Sequence, residues 1–373
     1  MKKYRLLYFV SEDDYFLTHK FHQAKDALND MKVLIVSNFN KNEKKIKSAG
    51  FDTYDIKLNR RSLNPISNLI TLFKLIRISN NFKPDIIQCI ALKPIILTTL
   101  ASIFFNKRVK IICCVVGLGY LFINKGLISL IIKKIYFLLI KLLSKKKVKY
   151  IFQNKDDLEI FKTNGVLKIS SSRIIKGSGV DLTKFRNRKT TKKYDLIFHS
   201  RVLKDKGIYE LVEAIKILRK QNIFFKTLIL GSPDPLNRSS LKKKDLLFWV
   251  GKKLVVWKPK VKNVLKFLHE SKIAILPSYR EGLPKSLLEA ASCELPIIST
   301  NVTGCKEICI ENYNGYLANP RDPISLSKAI KKLVFNKDLI NKFGKNSRIL
   351  VKKRFSNQIV SNQFKKVYKE FLK

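Results

Sequence analysis

Leu276-Pro277-Ser278-Tyr279-Arg280-Glu281-Gly282-Leu283-Pro284-Lys285-Ser286-Leu287-Leu288-Glu289-Ala290-Ala291 is the stretch that discloses the architecture. The apolar run Ile273 to Leu276 reads as a buried parallel strand ending at Pro277. A short polar loop follows. Pro284 then stands where a helix begins, its φ already suited and its missing amide hydrogen no loss. Leu287, Leu288 and Ala291 give that helix a packed face. The unit is therefore strand, loop, helix, with Glu281 in the loop and Glu289 about one turn into the helix. The amides around Gly282 and Lys285 lie at the helix N-terminus, where N–H groups and dipole suit a phosphate. A ligand with hydroxyls at both ends and a diphosphate between them, such as a nucleotide sugar, would use all three features.

The same alternation runs through the whole chain. Tyr4 to Val10 reads as a first buried strand, too short in its apolar part for a signal peptide. A helix is expected from Phe16 to Asn29, strands at Val33 to Val36 and Pro84 to Cys89, and a helix over Asn68 to Ser79. Ile86 to Phe105 holds twenty residues with one charge, long enough for a membrane span. Lys93-Pro94 in its middle favours a buried strand followed by a buried helix. Val109 to Val116 is another strand, and Gly117-Leu118-Gly119 after it would let backbone approach a ligand closely.

Gly126 to Ser144 is the most apolar helix, with Ser129, Lys133, Lys134, Lys141 and Lys145 expected on one arc. Two readings stand side by side. The helix lies in a membrane interface with its lysines toward anionic lipid, or it is a buried domain helix with a solvent stripe.

Further on, the strand Asp195 to Ser200 is followed by Arg201, Lys206-Gly207 and a helix through Lys220. Two cations at the C-terminal end of a strand can hold a diphosphate. Strands follow at Thr227 to Gly231, Val255 to Pro259 and Pro296 to Thr300, with a helix over Lys262 to Ser271 and a last one over Asn357 to Leu372. Alternating strands and helices give an α/β chain with parallel sheets and ligand sites at strand C-termini.

These phrases together resemble the retaining glycosyltransferases of family 4, in the branch that builds bacterial surface polysaccharide on polyprenyl carriers. Glu281 and Glu289 match the family's two-glutamate motif, with Leu276-Pro277-Ser278 before it. Ile174-Ile175-Lys176-Gly177-Ser178-Gly179-Val180-Asp181-Leu182-Thr183-Lys184-Phe185, the Gly117-Leu118-Gly119 loop, Asn301 to Glu307 ahead of a short helix, and Asn314-Gly315-Tyr316-Leu317 match further phrases.

The resemblance implies a GT-B fold of two Rossmann-like domains facing a cleft. Residues 1–175 would form the acceptor-side domain, 176–193 a linker and 194–354 the nucleotide-sugar domain. Residues 355–373 would be a helix packing back on the first domain. It implies that Arg201 and Lys206 stabilise the leaving diphosphate, making a metal or other cofactor unnecessary. Glu281 would orient the donor sugar and stabilise charge at its anomeric carbon, and Glu289 would hold the ribose. Gly282, Leu283, Pro284, Lys285, Gly117 and Gly119 would line the donor, with His19 a possible cleft residue. Many members carry a His just before the glycine loop, where this chain has Val116. The expected partners are a nucleoside-diphosphate sugar (UDP), a polyprenyl-diphosphate-linked glycan and an anionic membrane surface. The expected place is the cytoplasm, peripheral on the inner face of its membrane.

Composition sets the rivals. The chain has 373 residues, enough for two domains, and 46% are hydrophobic. Its 75 Lys+Arg against 28 Asp+Glu give a net charge of +47, which invites nucleic acid or anionic lipid. A basic RNA- or membrane-binding protein would explain that charge but not the ordered motifs, and no stacked-aromatic RNA motif is present. Sugar-nucleotide 2-epimerases share the fold but need further cleft acids and a histidine not found here. Cys89, Cys113, Cys114, Cys293, Cys305 and Cys309 form no CxxC pair and read as buried free thiols in a reducing compartment. The four histidines are too scattered for a metal site.

Overall fold

A computed structural model describes the chain except residues 1–2, 59–63, 119–121, 123–125, 144–147, 168–171, 236 and 373. The chain divides into two compact units, one of Met1–Ser178 with Asn357–Lys373, the other of Gly179–Ser356.

The first unit is built on seven parallel strands: β1 (Tyr4–Glu12), β2 (Met31–Asn38), β3 (Asp52–Asp55), β4 (Ile86–Ile90), β5 (Lys110–Val115), β6 (Val148–Phe152) and β7 (Ser172–Ile174). Their order is β3-β2-β1-β4-β5-β6-β7, so the direction of winding reverses between β1 and β4. The central strands are buried on both faces, which is why Leu6 to Val10 is a continuous apolar run and Ile86 to Ile90 is apolar but for the buried Gln88, rather than alternating. Helices α1 (Asp13–His19), α2 (Phe21–Ala27) and α3 (Glu43–Ser48) follow the first two strands. Next come α4 (Pro65–Phe82), α5 (Leu92–Ala101), α6 (Leu127–Leu143) and α7 (Lys155–Thr163). One core holds Leu75 of α4, Ile95 of α5, Tyr136 and Ile140 of α6 and Phe161 of α7 against one sheet face. The other face packs Phe16, Ala24, Ile46 and the C-terminal helix.

Two expectations change, and one, the strand followed by a helix over Ile86 to Phe105, holds. The helix expected over Phe16 to Asn29 is two short helices broken at Lys20, whose φ of −125° departs from helical geometry and whose side chain is buried. The twenty-residue apolar segment is β4 and α5, and among the described residues no helix is long and apolar enough to cross a membrane. On α6, among the described residues, only Lys134 and Lys141 of the expected polar arc are exposed. Ser129 is buried, and Lys133 lies with Nζ 5.2 Å from the Phe122 ring centroid. Leu127, Leu130, Ile131, Ile135 and Leu138 point outward with Lys134 and Lys141. From this helix the core takes Tyr136, Phe137 and Ile140. Lys145 lies outside the described residues.

The second unit repeats the plan with β8 (Tyr194–His199), β9 (Thr227–Leu230), β10 (Val256–Lys258), β11 (Ser271–Leu276), β12 (Ile297–Thr300) and β13 (Gly315–Ala318). They are parallel in the order β10-β9-β8-β11-β12-β13. Here α8 (Ile208–Lys220), α9 (Lys243–Gly251), α10 (Leu265–His269), α11 (Lys285–Ser292), α12 (Pro323–Val334) and α13 (Lys337–Arg354) cover the sheet. The helix expected over Lys262 to Ser271 is only α10. The segment after Asn301 forms hydrogen-bonded turns rather than a short helix. The last helix, α14 (Asn357–Leu372), lays Val360, Phe364, Val367 and Tyr368 into the first unit's core. All six cysteines are free and buried.

Candidate functional site

In the second unit the winding reverses between β8 and β11, which pair in parallel with Ile273 opposite Leu196. At such a reversal the loops leaving the two strands diverge and open a crevice at their C-terminal ends. Arg201 and Lys206 follow β8, and Glu281 follows β11, so the fold brings these three sequence-marked groups to the C-terminal end of the sheet.

Glu281 is fixed by several contacts. Its Oε1 accepts from Ser278 Oγ at 2.9 Å and forms an ion pair with Lys206 Nζ, and both side chains of that pair are mostly buried. Its backbone N–H donates to the Thr303 carbonyl at 3.1 Å. Gly304, at φ +79°, lies against the same loop, and a Cβ there would come within 2.6 Å of the carbonyl oxygens of Glu281 and Gly282. Gly207, at φ +72°, allows the 3₁₀ turn Lys204–Lys206 to pass directly into α8; a Cβ there would meet the Pro277 carbonyl at 1.9 Å. Ser278 Oγ also lies 2.9 Å from the Asp205 carbonyl, and the Tyr279 N–H donates to that carbonyl. The β8 and β11 loops are thus stitched to one another.

Pro284 serves as the residue before α11 rather than its first turn, with ψ of 111° in the extended region. Glu289, the fifth residue of α11, is mostly buried. Burial raises its carboxyl to about 7, against the opposing pull of Lys285 and Lys184. Lys285 is in turn lowered by burial. His199, the last residue of β8, brings Nε2 to 3.6 Å from Glu289 Oε2. Burial lowers the imidazole to about 4, and Nδ1 has no hydrogen-bond partner among the described residues. Near neutral pH this is a neutral ring beside a carboxyl that readily takes a proton.

Arg201 is half exposed, and its NH1 donates to Asp234 Oδ2 at 3.1 Å. Sequence reasoning missed Asp234, His199 and the link from Tyr279 to Glu210, in which the phenol donates to Oε1 at 2.6 Å. A usable signal existed for two of them: His199 ends β8 and Asp234 follows β9, and polar residues at the C-terminal ends of parallel strands are site candidates. Gly282, Leu283 and Lys285 sit in the same loop and helix start as Glu281.

Gly117 and His19 belong to the first unit. Gly117 follows β5 at φ +123°, and Gly119 lies outside the described residues. His19 ends α1, its ring stacked on Tyr15 at 4.2 Å and its Nδ1 2.7 Å from Thr18 Oγ1. No cluster of His, Cys, Asp and Glu suited to a metal ion occurs among the described residues.

Residues 180–349 match the model of the glycosyl transferases group 1, and residues 5–154 that of the glycosyl transferase 4-like family. The capsular polysaccharide biosynthesis glycosyltransferase CapM of Staphylococcus aureus is 28% identical over 84% of each chain. The N,N'-diacetylbacillosaminyl-diphospho-undecaprenol alpha-1,3-N-acetylgalactosaminyltransferase of Campylobacter jejuni is 26% identical over 93% of this chain and 94% of its own. Anabaena HepE, whose structure contains UDP and glucose, superposes with a TM-score of 0.77 at 13% identity, covering 98% of this chain and 99% of its own.

Proposed function

The chain belongs to the glycosyltransferases of group 1 and the 4-like family, with the GT-B fold, and from that premise we propose the following reaction. It moves a hexose or N-acetylhexosamine from a UDP-sugar to a hydroxyl of a sugar carried on a polyprenyl diphosphate, with retention at the anomeric carbon. The product extends a surface polysaccharide at the inner face of the cytoplasmic membrane. CapM and the Campylobacter transferase support the pathway and the carrier, and the ligand of HepE supports UDP.

The observation that carries the reading is the fixed carboxylate of Glu281 beside Lys206 at the β8–β11 reversal. Charge that develops on the leaving diphosphate oxygen is met by Arg201 and Lys206, so no divalent metal is required. Lys206 then exchanges Glu281 for phosphate oxygen. Glu281 Oε1 is engaged by Ser278 and Lys206, which leaves Oε2 for a donor hydroxyl and for positive charge at the anomeric carbon. Glu289 accepts from the ribose hydroxyls.

Hydrolysis of a panel of nucleotide sugars tests this directly. Glu281→Gln keeps the shape and an acceptor for Ser278 and Lys206, and turnover should fall about 100-fold or more, as when one transition-state contact is lost. Arg201→Ala removes only a half-exposed ion pair from the fold, yet should weaken UDP binding by about tenfold or more, since a charge-assisted contact is worth about 1.5–3 kcal/mol. EDTA should leave turnover unchanged. Full activity in Glu281→Gln, or strict dependence on a divalent metal, would refute the assignment.

A further inference from the structure

We propose that the outer faces of α4, the 3₁₀ turn Ser102–Phe104 and α6 form one docking surface for the headgroup–acyl boundary of an anionic lipid bilayer. The proposal rests on the preceding reading only in placing the acceptor at a membrane; the adhesion follows from the surface itself.

On α4, Ile66, Leu69, Ile70 and Phe73 are exposed, Ile66 and Phe73 by 68% and 66%. Their spacing of i, i+3, i+4 and i+7 puts them on one helical face, opposite the buried Leu75 and Ile78. In the 3₁₀ turn Ile103 and Phe104 are exposed by 62% and 61%. On α6, Leu127, Leu130, Ile131, Ile135 and Leu138 fall within one arc opposite Tyr136 and Ile140. Helix α5 packs against both α4 and α6, and all three enter the same core on one sheet face. Their outer sides therefore look away from the sheet in the same direction. Apolar patches of this extent are rare on monomers and mark interaction sites.

Charge identifies the occupant. Residues 56–155 contain nineteen Lys and Arg and a single acidic residue, Asp85. Lys74 and Arg77 are exposed on α4, Lys107 and Arg108 follow Phe104, and Lys134 and Lys141 stand among the aliphatic residues of α6. A second copy of the chain would bring the same positive charge to the contact and be repelled. Nucleic acid would meet the lysines but leave the aliphatic side chains in water. An anionic bilayer satisfies both, its headgroups taking the lysines and its acyl boundary the apolar side chains. With no crossing helix among the described residues, these elements lie on the bilayer rather than span it.

Flotation with vesicles of phosphatidylcholine alone or with phosphatidylglycerol, at low and high salt, tests the surface in the full chain. Wild type should float with the anionic vesicles and keep a bound fraction at high salt, because apolar insertion is screened far less than the lysine contacts. Ile131→Ser with Ile135→Ser and Leu138→Ser on α6, and separately Ile70→Ser with Phe73→Ser on α4, should each lower that fraction several-fold. Lys134→Gln with Lys141→Gln should lower binding at low salt. Every altered side chain is exposed, so circular dichroism should match wild type; if one apolar variant misfolds, the other decides. Donor hydrolysis without vesicles reports the proposed reaction separately from docking. Failure of wild type to float, unchanged salt-resistant binding in the apolar variants, or a dimer that these substitutions dissociate would overturn the proposal.

Discussion

Glu289 illustrates how burial sets the chemistry of a single side chain. Its carboxyl is raised to about 7, chiefly by burial, so the folded state holds a proton that the unfolded chain releases near 4.5. Stability linked to it is fully present below about pH 4.5 and is lost as pH rises through about 7. At 1.36 kcal/mol per pKa unit the loss is on the order of 3 kcal/mol. Glu289→Gln is neutral throughout and should be more stable than wild type above pH 7, the difference shrinking toward zero below about pH 4.5. Thermal melts of both proteins from pH 4.5 to 8 give that difference curve, and a flat one would show that Glu289 is not desolvated. His199 acts in the opposite sense. Burial lowers it to about 4, so its contribution is lost as pH falls from about 6.5 toward 4. Because both proteins keep His199, its effect largely cancels in the difference. If Glu289 holds the ribose, Glu289→Gln should also weaken UDP binding.

The loop-and-turn elements around β11 show what the chain disclosed and what it withheld. Parallel strands, the helix Ile208–Lys220 and the helix Asn357–Leu372 were legible because apolar runs and helical spacing are local signals. The nearness of Lys206 and Glu281 was legible because each follows a recognisable strand. The clasp formed by Thr303 and Gly304 was not, since it depends on β12 lying beside β11, a pairing that no local pattern specifies. The outward face of α6 failed for a related reason: helical spacing gives the arcs of a helix but not which arc the core takes. Gly304→Ala probes the clasp. A Cβ meets two carbonyl oxygens and the φ of +79° disfavours any side chain, so the Glu281 loop must shift. Donor turnover should fall at least tenfold while UDP affinity changes less, because the displaced group, Glu281, serves the sugar end. Equal losses in both, or neither, would remove the clasp from the site.

The chain's two ends complete the first unit: Tyr8 and Tyr368, 360 positions apart in sequence, place their hydroxyls 2.6 Å apart, and Tyr368 donates onward to Gln88 Oε1 at 2.5 Å. Burial raises both phenols, so neither ionises and the chain of hydrogen bonds persists across ordinary pH. Around it Val360, Phe364 and Val367 are at most 1% exposed. Burying each such side chain contributes about 1.5–3 kcal/mol, and a whole domain is stable by only about 5–15 kcal/mol. Removing residues 357–373 should therefore unfold the first unit, uncovering Tyr8, Phe16 and Ala24. The second unit keeps its own core, with Phe355 and Val351 inside it, and should survive. Limited proteolysis of the shortened chain should degrade the first unit and leave a resistant fragment near residues 179–356. A shortened chain as resistant throughout as wild type would show that α14 only covers a core that holds without it.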